Sequence, residues 1–187
     1  MNMDANTSTS PVLIELDAVT WNEQLDRAKA WFDNVLLTQS SYRQLLEDTV
    51  EKIDEPHMKQ YLAEMADRAK RHEERVLELY AAIDRQPSEI RKTIGEFMGK
   101  ARQALGDFIA LTGGAKAPWQ DLHQVYLSNY NSMGAFAVAE QLGLALGIPG
   151  IVEVAFSITT DKSTDQLLLQ ECVLEMSSKS ILYKEWF

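Results

Sequence analysis

From Asp17 onward the chain sets one face of apolar side chains at alternating steps of four and three. Trp21, Leu25, Ala28, Phe32, Val35, Gln39, Tyr42, Leu46, Val50 and Ile53 follow that rhythm, which is one stripe of a long α-helix. Asp17 suits the N-cap, and Pro56 limits the helix because the residue before a proline avoids the α region. The rhythm resumes after Pro56 with Met58, Leu62, Met65, Ala69, His72, Val76, Leu79 and Ile83, while Lys59, Asp67, Arg68, Lys70, Arg71, Glu74 and Arg75 form a charged outer face. Pro87-Ser88 breaks it. A shorter amphipathic segment, about 88–112, turns Ile90, Ile94, Phe97, Ala101, Leu105 and Phe108 inward and stops at Gly113-Gly114. Two more long helices are predicted, about 119–146 and about 151–183, separated by the turn Ile148-Pro149-Gly150. Strict alternation, the mark of a strand, is missing throughout.

The pattern predicts an all-α protein, an antiparallel four-helix bundle with one additional shorter helix lying across or beside it. Residues 1–16 read as a disordered N-terminal tail, and 17–187 as one helical bundle domain.

In such a bundle, chemistry requires polar side chains that point inward, because burying them costs stability unless they find partners. The stripes contain few: Gln39 in the first helix, His72 in the second, and Asn129 and Glu140 in the helix from 119, beside Leu122, Tyr126, Met133 and Phe136. The last helix differs, being polar in every phase from Ser157 through Thr159, Thr160, Asp161, Lys162, Ser163, Thr164, Asp165 and Gln166. Di-iron carboxylate bundles place a Glu on each of two helices and a Glu-x-x-His on each of the others. Here Gln39 stands where the first Glu belongs, and Ala69-x-x-His72 keeps the His without its Glu. Asp161 and Asp165 have no histidine beside them in sequence, and without a metal they read as a solvated helix face or a partner surface. If a metal site exists, its candidates are His72, Glu140, Asp161 and Asp165. Otherwise His72 is a core histidine bonded to Gln39, Tyr126 or water.

Three segments resemble the YciF/YciE-like stress proteins of the ferritin-like superfamily. Tyr130 to Gly143, above all Ala139-Glu140-Gln141-Leu142-Gly143, is similar to that family's fourth-helix motif. Asp161-Lys162-Ser163-Thr164-Asp165 resembles its acidic segment of the type E-K-A-T-D, and His72-Glu73-Glu74-Arg75-Val76 its segment of the type Q-I-E-R-I. The resemblance spans roughly residues 30–175 and implies a ferritin-like bundle, usually dimeric, sometimes carrying carboxylate-rich metal positions. Laid on that pattern, the first-helix Glu becomes Gln39, a Glu-His pair becomes Val125-Tyr126, the following Glu becomes Ser128, and Thr159 and Thr160 precede the surviving Asp161 and Asp165. The expectation is a degenerate site: no catalytic residues, no cofactor, and iron or manganese only if a reduced carboxylate/histidine set still binds. A metal-binding protein or oxidase and a carrier of an apolar small molecule are the alternatives to a non-catalytic structural or stress-associated homodimer.

Composition narrows the partners. A formal charge of -10 works against nucleic acid and anionic membrane surfaces, which are held by Lys and Arg. No apolar run approaches the ~20 residues that span a bilayer. The single cysteine, Cys172, rules out a disulfide framework within the chain and reads as a small buried hydrophobe. The polar start, MNMDANTSTS, reverses the order of a signal peptide, so a cytoplasmic location is expected. His57 and His123 fall near helix starts and read as exposed. Apolar residues beyond one face of the last helix, Leu167, Leu168, Leu169, Val173, Leu174 and Ile181, point to a homodimer.

Overall fold

A computed structural model describes residues 16–88 and 117–183. Four long helices account for nearly all of them: α1 (Ala18–Val50), α2 (Pro56–Ala81), α3 (Ala117–Leu146) and α4 (Pro149–Ser178), the last tightening into a π-helical turn, Lys179–Tyr183. No strand occurs among the described residues. The shorter helix expected at about 88–112 lies, apart from Ser88, outside them, as does residues 1–15 of the expected tail.

The helix ends follow from local chemistry. Asp17 caps α1, its carboxylate accepting from the Val19 and Thr20 amides. A proline sits in the first turn of α2 and of α4, where its missing N–H costs no hydrogen bond. At the end of α2 the Arg85 amide reaches back to the Tyr80 carbonyl, and at the end of α3 the Ile148 amide reaches the Gly143 carbonyl. Both closures need a left-handed residue, supplied by Asp84 (φ 52°) and Gly147 (φ 67°).

α1 packs on α2 and α3, and α4 packs on the same two, so α1 faces α4 across one diagonal and α2 faces α3 across the other. All four neighbouring pairs are antiparallel. The Trp31 indole donates to the Ala135 carbonyl while Lys52 pairs with Asp121, and Arg68 pairs with Asp165 while Arg75 meets Ser157. α2 and α3 therefore run the same way, and Ser88 and Ala117 lie at opposite ends of the bundle. Gly143 lets α3 close on α4: a Cβ there would stand 2.9 Å from Ile151.

The interior is divided. One apolar half gathers Leu25, Phe32 and Val35 of α1 with Val76, Leu79, Phe136, Ile151 and Ile158. The other gathers Tyr42 and Leu46 with Leu62, Met65, Leu122, Val125, Leu169 and Met176. Each large apolar side chain fully removed from water contributes ~1.5–3 kcal/mol. Between the halves all four helices place buried polar side chains at one level.

Candidate functional site

That level is a belt: Thr38 and Gln39 from α1, His72 from α2, Asn129 and Ser132 from α3, and Lys162 and Asp165 from α4, all buried. Gln39 bonds Ser132 and Asn129 bonds Lys162 within it, and the other members find partners beside it. The Gln39 amide donates to the Ala69 carbonyl at 2.8 Å, and its oxygen accepts from the Ser132 hydroxyl at 2.9 Å. Asn129 donates to the Lys162 carbonyl and to the Gln166 side chain, and its own oxygen accepts from the Lys162 amine at 3.3 Å. Arg68, half-buried at the rim, donates to the buried Asp165 carboxylate at 2.6 Å. His72 and Asp161 meet at 3.0 Å, with Asp161 half in solvent.

Lys162 is the unexpected member. Its side chain is 0 % exposed, and the ammonium nitrogen lies 4.0 Å from the centre of the Tyr42 ring, over its electron-rich face. Burial drives its pKa down to about 7, against the pull of Asp165. Burial likewise lowers that of His72, with the Asp161 hydrogen bond opposing. The Tyr42 hydroxyl is pushed up by burial and then by the Asp165 charge, so it stays protonated. Its hydroxyl, the Thr159 hydroxyl and the Gln166 amide nitrogen are buried without a hydrogen-bond partner among the described residues.

The four candidate metal residues are not brought to one point. His72 and Asp161 are in contact; Asp165 sits in the belt and is turned to Arg68. Glu140 is half-buried on α3, eleven residues and therefore roughly 16 Å along the axis from Asn129. Among the described residues no three His, Cys, Asp or Glu side chains gather as a metal group needs. The donor set does not fit a di-metal centre: the first-helix position holds an amide already spent on two neighbours, and the Lys162 side chain fills the middle.

Several sequence readings change. His72 bonds Asp161, not Gln39 or Tyr126, because Gln39 is engaged by Ala69 and Ser132. Asp165 is a core residue, not part of a solvated face, whereas Asp161 keeps about half of its side chain in water. His57 is exposed as expected, but His123 is half-buried, stacked on Trp119 with ring centres 5.1 Å apart. Cys172 is buried in the apolar half that holds Leu46 and Met65, where burial raises its thiol pKa. No helix among the described residues is long and apolar enough to cross a membrane.

No protein-family profile matches the chain, and neither a curated protein nor a solved structure matches it.

Proposed function

We propose that the chain is a ferritin-like bundle without catalytic activity, a homodimer of the structural, stress-associated kind, in which a lysine of the protein takes the central place of a metal ion. The reading draws first on the connectivity. Parallel α2 and α3 require one crossing along the bundle, the arrangement that separates ferritin-like folds from simple up-and-down bundles. It is carried by one observation: the amine of Lys162, wholly buried in the polar belt and held by Asn129 and the Tyr42 ring. A metal ion would have to displace this side chain from the centre of the belt, whose amides and hydroxyls largely bond one another.

The test is elemental analysis of protein refolded with excess iron, manganese and zinc. Less than about one-tenth of an equivalent of each is expected, since binding would require ligands that are free and deprotonated. A full equivalent of any of them, lost in the His72→Ala variant, would replace this reading with a metalloprotein built on His72 and Asp161.

A further inference from the structure

The acidic residues are unevenly spread over the surface. Glu47, Glu73 and Glu74, with Arg43 and Lys70, line an open groove of about 480 Å³ on the outer side of α1 and α2. Across the bundle the outer side of α3 is the reverse. Its exposed positions are Leu127, Tyr130, Asn131, Gly134, Val138, Gln141, Leu144 and Ala145, and none carries a charge. The helix has only two acids, Asp121 and Glu140, which helical spacing turns away from that arc, and both are half-buried. On α4 the exposed acids Asp161 and Glu175 turn toward α2, where they pair with His72 and His57, while helical spacing puts Glu153 and Glu171 beside Thr160, at the border of the outer side. The side of α4 that leans toward α3 presents Phe156, Thr160, Ser163, Leu167 and Leu174, with Phe156 60 % and Leu167 66 % exposed.

These positions line up across the two helices. The contacts Trp119–Val173, Asn129–Gln166, Met133–Ser163 and Gly143–Ile151 fix how α3 lies along α4. That alignment sets Leu127 level with Leu167, Tyr130 with Thr164, Gly134 with Thr160, and Val138 with Phe156. The result is one uncharged, largely apolar strip. It runs roughly 40 Å along the axes at 1.5 Å per residue and about 20 Å across two helices, close to the ~800 Å² per partner of a standard protein interface.

We propose that a second copy of this chain docks on the outer face of α3 and α4, the two strips meeting around a two-fold axis. The inference rests on the homodimeric reading above and assigns its surface. Charge selects the occupant. Two chains of formal charge -10 repel wherever their acids meet, and among the described residues this face holds none along α3 and only Glu153 and Glu171 at its α4 border. A two-fold contact also requires a surface that complements itself, which an uncharged strip of Leu, Tyr, Val and Phe does.

Light scattering at micromolar concentration should give about 42 kDa for the unaltered protein, twice the 21.1 kDa chain. Leu167→Glu combined with Val138→Glu should bring this to the single-chain mass with helical circular dichroism unchanged, weakening association by at least about 100-fold. Leu77→Glu, in the α1–α2 groove, should leave the dimer intact. A nitroxide at Thr160→Cys in a Cys172→Ser background should report a partner label within about 30 Å, and one at Leu77→Cys should not. A monomeric unaltered protein overturns the homodimeric reading itself. A dimer that survives both glutamates, or labels that are close at Leu77 and distant at Thr160, keeps the dimer and overturns this face. Should the double variant lose its helicity, the label distances decide.

Discussion

At the scale of single residues, Lys162 governs how the molecule responds to pH. In an unfolded chain a lysine keeps its proton to about 10.5; in the bundle burial makes Lys162 release it near 7. Below 7 both states are protonated and the cost of burying the charge is constant and complete. Between 7 and 10.5 the unfolded chain binds the extra proton, so stability rises with pH. His72, its pKa also lowered by burial, acts in the same sense further down: stability falls as pH drops below its unfolded value of 6.5. Urea unfolding is therefore expected to show stability rising by about 1 kcal/mol per unit between pH 7 and 9. Lys162→Met should flatten that slope and add on the order of 2 kcal/mol at pH 7, since an apolar chain of similar length fills the space without an ammonium to desolvate. A slope that survives the substitution would place its source elsewhere.

At the scale of elements, the helices were legible and one stretch of one helix was not. Steps of three and four carried α1 and α2, whose stripes run on through Gln39 and His72 for many turns, and proline and glycine marked the helix ends; on α3 the expected Tyr126, Met133 and Glu140 sit one position past the buried Val125, Ser132 and Ala139. Residues 157–166 resisted because every phase is polar, so periodicity names no inner side. The signal lay in the flanks. Extending the stripe of Ile158 forward, and that of Leu169, Cys172 and Met176 backward, passes through Lys162 and Asp165, the two that are buried. The rule that lysine and aspartate face water argued against it, and tertiary pairing with Asn129 and Arg68 overrode the rule. The partners themselves could not be read, since they lie on other helices. Helix ends carry their own prediction. Asp84 closes α2 with a positive φ that glycine adopts without steric cost, so Asp84→Gly should raise the thermal midpoint, by about 0.5–1 kcal/mol in stability. A midpoint that falls would mean the Asp84 side chain contributes more than its backbone costs.

At the scale of the whole molecule, two kinds of charge coexist and salt separates them. The formal -10 repels itself across exposed positions and is screened within about 10 Å at 0.1 M ionic strength, whereas the Arg68–Asp165 pair is shielded from solvent ions on its acidic side. Raising sodium chloride from about 20 to 500 mM should raise the thermal midpoint by a few degrees. A lowered midpoint would show that surface ion pairs outweigh the net repulsion. The belt across the interior has a further effect on assembly. Leucines and methionines in the two apolar halves would accept a neighbour displaced by one helical turn with modest loss. Lys162, Asn129, Gln39 and Asp165 would not, because a 5.4 Å slip leaves each of them stranded in hydrocarbon. The belt therefore acts as a notch cut at the same height in four rods, admitting a single way for them to slide together.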